Sequence, residues 1–197
     1  RPRSIAVVGG GAWCDSVIEQ NQKNGFKGDI WRVHPKKDSV GGVPAFKTLA
    51  DLPDAPDATF IGVNRSATID LVGELNQMGA GGAVCFASGF KETPDGAVLN
   101  DQLLAAAGGM PILGPNCYGV LNAVDRVALW PDQHGLVPVE RGVAILAQSS
   151  NIAINLTMQQ RGLPISYTIT AGNQAQQGLA SIAQTVIRDD RVTALGL

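Results

Sequence analysis

The sequence predicts an α/β fold, two parallel-sheet units in succession, and three observations carry that prediction. Short apolar runs alternate with helix-length segments along most of the 197 residues. Glycine- and proline-rich turns follow the apolar runs, as Gly9-Gly10-Gly11 and Gly114-Pro115-Asn116 do. Connections within each unit are short, the pattern expected of β-α-β crossovers.

Residues 4–8 read as a buried strand, 9–12 as a turn and 15–24 as a helix. Residues 29–33 form the second strand, ending at His34-Pro35. A loop rich in Gly, Pro and Asp leads to a third strand over 58–63, and Ser66 has the chemistry to cap a helix over 67–78. A fourth strand over 82–87, a helix over 96–107 and a fifth strand over 111–113 complete a Rossmann-like unit spanning residues 1–124. Residues 125–141 hold Trp130, Pro131, His134 and Pro138 without a clear period and read as a linker. Alternation then resumes: strand 142–147, turn 148–151, helix 152–161, strand 165–170, turn 172–174, helix 179–188, strand 192–197. A flavodoxin-like domain needs about five strands, so residues 142–197 read as the first part of one.

Composition excludes several classes. Hydrophobic residues make up 45%, yet no apolar run reaches the roughly 18 residues of a membrane span. A formal net charge of −2 argues against a nucleic-acid binder. Cys14, Cys85 and Cys117 are too scattered for a metal pair or a disulfide framework, so no metal site is expected and a reducing cytoplasm is the expected home. The opening residues lack the apolar stretch of a secretory signal.

In an open parallel sheet, ligands sit at the carboxyl ends of the strands. There Gly9, Gly10 and Gly11 let a phosphate approach the backbone, and Ala12 and Trp13 open a helix whose free N–H groups favour an anion. Cys14 stands where a dinucleotide fingerprint has its third glycine. No acid ends the second strand to hold a plain ribose. Val33-His34-Pro35-Lys36-Lys37 instead offers two cations, which suits a ribose carrying a phosphate, as in coenzyme A or NADP. The other strand ends carry Val63, Asn64, Ser88, Gly89, Phe90, Asn116 and Cys117. Their amides, small residues and N–H groups suit a long pantetheine arm and offer no hydride-transfer set.

Taken in order, these motifs resemble a family. Val7-Val8-Gly9-Gly10-Gly11, Val33-His34-Pro35-Lys36, Gly62-Val63-Asn64-Arg65-Ser66, Ala87-Ser88-Gly89-Phe90-Lys91-Glu92 and Gly114-Pro115-Asn116-Cys117-Tyr118-Gly119 look like the coenzyme-A-binding domain of NDP-forming acyl-CoA synthetases. That family includes ADP-forming acetate–CoA ligases and the succinyl-CoA synthetase α subunit. Residues 143–150 and Ala171-Gly172-Asn173-Gln174-Ala175 extend the likeness into the second unit.

The resemblance implies an acid–thiol ligase that makes an acyl phosphate with ATP and Mg²⁺, passes the phosphoryl group to a histidine and forms acyl-CoA. It places the coenzyme's diphosphate on Gly9–Trp13, its ribose phosphate by Val33, Pro35, Lys36 and Lys37, and its pantetheine by Val63, Ser88, Gly89 and Asn116. It makes Gln148, Ser149, Ser150 and Asn151 a phosphate cradle, although Ser150 and Ala147 depart from the family's glycine and serine. The phosphohistidine is expected beyond Leu197, with His134 a surface residue and no catalytic residue within the chain. An ATP-grasp domain or subunit, a small carboxylic acid and an oligomer are the implied partners, with Tyr118, Trp130 and Asn173 as candidate walls for the acid. The alternatives are a coenzyme-A-binding module without catalysis and an NADP-dependent oxidoreductase.

Overall fold

The computed structural model describes residues 1–40 and 42–197. β1 (Ser4–Gly9) is buried at every position and forms the centre of the first sheet. α1 (Ala12–Asn24) follows and stops at Gly25, whose φ of +72° closes the helix in the left-handed region. β2 (Asp29–Val33) lies parallel to β1, with Arg32 opposite Val7. Within the expected loop, β3 (Ser39–Val40) and β4 (Val43–Phe46) pair antiparallel, and a short 3-10 turn, Leu49–Asp51, is held by a capping box between Thr48 and Asp51.

β5 (Ala58–Gly62), α2 (Arg65–Met78), β6 (Ala83–Cys85), α3 (Gly96–Ala107) and β7 (Ile112–Leu113) complete the unit. Asn64 rather than Ser66 caps α2, its Oδ1 accepting from the Ala67 N–H at 3.0 Å. β5 ends at Gly62, so the chain turns early enough for the first capping side chain to reach the helix.

The order β3-β4-β2-β1-β5-β6-β7 is that of a doubly wound Rossmann-like sheet, with β3 added antiparallel at one margin. Period-two alternation divides its core. Ala6, Val8, Val33 and Ile61 face Val72, Leu75 and Leu103 of α2 and α3. Ile5, Val7, Phe60 and Val84 face Cys14, Val17 and Ile18 of α1. Winding reverses between β1 and β5, which opens the ligand crevice of this fold there.

A second, mixed sheet contains β8 (Val120–Asn122), β9 (Val127–Leu129), β10 (Gly142–Ala147), β11 (Ile165–Thr170) and β12 (Val192–Gly196) in the order β12-β10-β11-β8-β9. β10 runs parallel to β11 and β12, while β8 is antiparallel to β11 and β9. α4 (Ser150–Thr157) starts two residues before and ends four residues before its expected range, and α5 (Leu179–Val186) ends two early. Residues 125–141 are not simply a linker: they include β9 and the fully buried Trp130. Three residues per strand are too few to register as a period in the sequence.

The two sheets are tied by Asn21 of α1. Its Oδ1 accepts from the Ala128 N–H at 2.9 Å and its Nδ2 donates to the Ala128 carbonyl at 2.6 Å, so the amide acts as a strand partner for β9. No helix is long and apolar enough to cross a membrane among the described residues.

Candidate functional site

Gly9 and Gly62 are register partners at the carboxyl ends of β1 and β5. Gly9 has φ +121°, and a Cβ there would lie 2.5 Å from the Gly62 carbonyl oxygen. Gly11, at the head of α1, has φ +87°, and no described atom lies within 4 Å of where its Cβ would be. No side chain caps α1 among the described residues. The first N–H groups of α1 therefore face a cradle that any side chain at position 11 would fill, and a diphosphate fits it. Gly10 has a different role: its Cβ would sit 2.8 Å from His34 Nε2, so the imidazole packs on it.

His34 closes the turn after β2. Its Nδ1 accepts from the Lys36 N–H at 3.1 Å and the Lys37 N–H at 3.0 Å, which leaves the ring proton on Nε2. Burial, then the charges of Lys37, Arg32 and Lys47, push its pKa below the usual value. Lys36, Lys37 and Pro35 are exposed beside the crevice, while the Val33 side chain belongs to the core. Beneath them Arg32 is fully buried and pairs with Asp15 Oδ1 at 3.1 Å, its Nε and Nη1 without a partner among the described residues. The sequence reading missed Arg32; the signal was a cation at an inward strand position.

A cavity of about 560 Å³ lies beyond, between the ends of β5 and β6, the loop after β7 and the start of α4. It brings together Val63, Asn64, Ser88, Asn116, Cys117 and Ser150 from the expected set. Arg65 from the expected strand-end motif and Tyr118, a candidate wall for the acid, also line it, and so does Phe86, unforeseen. Phe90 is a correction: its side chain is fully buried in the core between sheet and helices, because Gly89 (φ +94°) turns the chain back inward. The Cys117 thiol is also buried, 4.0 Å from the Cys85 carbonyl oxygen, and burial followed by Cys85 keeps it protonated. Ala12 and Trp13 lie on the first turn of α1, outside the cavity lining.

At the start of α4, Ser149 is the N-cap residue but makes no capping side-chain bond among the described residues. Ser150 Oγ instead accepts from the Tyr118 N–H at 3.2 Å, and Gln148 Nε2 donates to the Gly172 carbonyl at 3.5 Å. Asn151 is exposed. The helix thus presents open N–H groups toward the cavity rim.

Loops from both sheets meet behind Asn116 of the cavity wall. Glu92 accepts from the Gly89 and Phe90 N–H groups at 2.6 and 3.1 Å and from Asn173 Nδ2. Burial raises the Glu92 pKa, but these bonds outweigh it and hold the carboxyl below its usual range. Asn116 Nδ2 donates to Asn173 Oδ1 at 3.4 Å. Rings stand behind the cavity: Trp13 and Phe86 have centroids 5.6 Å apart, Phe86 and Tyr118 6.0 Å, and Trp130 meets Tyr118 edge-on at 5.3 Å. Neither histidine lines the cavity. His134 is buried, contrary to the expected surface position. Its Nδ1 accepts from the Leu136 N–H at 3.2 Å, and burial followed by Lys23 pushes its pKa down to about 4. Among the described residues no three His, Cys, Asp or Glu side chains gather to hold a metal ion.

Residues 3–123 match the model of the CoA binding domain. The chain belongs to the CoA binding domain family. This CoA binding domain chain is 34% identical over 203 residues to a trans-feruloyl-CoA synthase from an unknown prokaryotic organism, covering 96% of the chain and 29% of that relative. It is 29% identical over 182 residues to the ADP-forming 4-hydroxybutyrate–CoA ligase of Nitrosopumilus maritimus, covering 88% and 26%. Among solved structures it superposes on acetyl-coenzyme A synthetase 1 of Ca. Korarchaeum cryptofilum with a TM-score of 0.87 at 26% identity, covering 98% of the chain and 43% of that protein. The chain thus spans less than a third of the two curated relatives.

Proposed function

We propose that this chain is the coenzyme-A-holding part of an ADP-forming acyl-CoA ligase. The observation that carries the proposal is the cradle at Gly11, open at the head of α1, next to Gly10 on which the His34 turn with its Lys36 and Lys37 packs, where a plain dinucleotide site has an acid. The diphosphate lies on the N–H groups of Gly9–Trp13, and the ribose phosphate beside Pro35, Lys36 and Lys37, with the Val33 backbone at its edge. The pantetheine follows Val63, Asn64, Ser88, Gly89 and Asn116 into the cavity, its thiol ending near the start of α4. There Gln148, Ser149, Ser150 and Asn151 present helix N–H groups to a phosphoryl or acyl oxygen.

His34 Nδ1 is held by two backbone N–H groups and His134 is buried, so neither serves as phosphoryl carrier. That histidine, and the ATP-grasp domain or subunit that binds ATP and Mg²⁺, belong in this reading to other parts of an oligomeric cytoplasmic enzyme. The names of the relatives span feruloyl, 4-hydroxybutyrate and acetyl groups, so kinship alone leaves the acid open. The test is to incubate the full-length protein with labelled ATP, coenzyme A and a carboxylic acid panel. Acyl-CoA and ADP are expected. AMP release, or tight NADP binding without acyl-CoA, would overturn the proposal, as would a stable phosphoryl group on His34 or His134.

A further inference from the structure

We infer that the acid taken by this site carries an aromatic ring, seated against Phe86 and Tyr118. The inference rests on the ligase reading and deepens it. Both side chains line the cavity, Phe86 from the end of β6 and Tyr118 from the loop after β7, with centroids 6.0 Å apart and planes inclined by 50°. That tilted geometry leaves ring faces and edges for a third ring, as aromatic clusters prefer.

The wall is held from behind. Trp130, fully buried, meets Tyr118 edge-on at 5.3 Å, and Phe60, fully buried, backs Phe86 at 5.7 Å. Trp13 extends the same cluster, 5.6 Å from Phe86 and 6.2 Å from Tyr118, yet remains 47% exposed. Two rings, Phe86 and Tyr118, face the cavity, and the three behind them hold that pair rigid, giving an apolar wall that a two-carbon acid cannot cover. The polar groups lie at the other side of the same space: Asn64, Ser88, Asn116 and the head of α4. Because the Tyr118 N–H bonds Ser150 Oγ at 3.2 Å, the ring wall and the helix start are one hydrogen bond apart. A flat acid with its carboxyl carbon at α4 and its ring on Tyr118 spans that arrangement. A volume of about 560 Å³ lies within the range of small-molecule sites.

The experiment has two arms, both on the full-length protein. In the first, kcat/KM is measured for 4-hydroxycinnamate, benzoate, 4-hydroxybutyrate and acetate at saturating coenzyme A. The aromatic acids are expected to exceed acetate by about tenfold or more. Tyr118→Leu and Phe86→Leu should cut that ratio of aromatic acids to acetate about tenfold. In the second, calorimetry compares 4-hydroxycinnamoyl-CoA with acetyl-CoA, and the aromatic thioester should bind about tenfold tighter. A ratio of one or less in either arm overturns the inference, while ADP release with any acid leaves the ligase reading standing. No ADP with any acid defeats the ligase reading, and the thioester affinities then decide alone. They also decide where a leucine variant fails to fold.

Discussion

The Cys14 sulfur occupies the space that a side chain on Gly62 would need: a Cβ at Gly62 would lie 2.5 Å from Sγ. The third glycine of a dinucleotide fingerprint exists to let helix and sheet approach closely. Here that glycine is on the neighbouring strand, and the helix carries a thiol that burial, its largest influence, raises to about 11. Gly62→Ala should therefore cost about 1–3 kcal/mol through overpacking, and Cys14→Gly in the same chain should recover much of it. Urea unfolding of the two single variants and the double variant checks this; strictly additive losses would show that the two positions do not compete for one space.

The cations after β2 should read the ribose phosphate. Coenzyme A should bind more tightly than dephospho-coenzyme A, and Lys36→Ala with Lys37→Ala should remove about 1–3 kcal/mol of affinity and most of that difference. Calorimetry at fixed salt measures it. Equal affinities for the two coenzymes would leave the lysines as solvated surface charges.

Gly10 and Gly11 should respond differently to alanine. At Gly11 the new Cβ points into open space but the φ of +87° is strained, so stability should fall by about 1–2 kcal/mol while coenzyme A binding is lost. At Gly10 the Cβ would meet His34 Nε2 at 2.8 Å, and the His34–Lys37 turn should shift. Circular dichroism together with a binding titration separates the two effects.

Stability should depend on pH through His134. Its folded value of about 4 lies below the ordinary 6.5, so between those values the unfolded chain binds the proton. The contribution is complete above about pH 6.5 and lost as pH falls to about 4, amounting to about 2–3 kcal/mol. His134→Asn, which keeps an acceptor for the Leu136 N–H, should flatten the urea-unfolding profile over that window.

Asn21→Leu should be among the most damaging substitutions. It leaves the buried N–H and carbonyl of Ala128 unpaired, a loss of about 2–4 kcal/mol in thermal or urea unfolding. Asn21→Asp, which keeps the acceptor but not the donor, should fall between.

The sequence made the first sheet legible because four of its five main strands end in punctuation: Gly9, Pro35 after His34, Gly62, Gly114. The hairpin of β8 and β9 was not, since its strands have three residues each and the outer side of β9 is satisfied by Asn21, 107 residues away. At the site, glycines and lysines announce phosphate chemistry by type. Phe90 misled because an aromatic beside a glycine turn reads alike whether it faces ligand or core. Phe86 escaped notice because its role comes from the meeting of two strand ends, which only the topology supplies.

Gln176 lies in the loop that follows β11, yet its side chain serves the first sheet. Its Oε1 accepts from the Ile112 N–H at 2.8 Å and its Nε2 donates to the Met110 carbonyl at 3.1 Å, so one amide takes the place of the strand that β7 lacks on its outer side. An uncovered strand margin is a template on which another chain can grow a ladder. The safeguard against such misassembly is thus lent to the first sheet by the second. Whenever the second sheet swings away, Ile112 becomes an open docking point for a neighbouring molecule, and self-association should rise with that opening rather than with global unfolding.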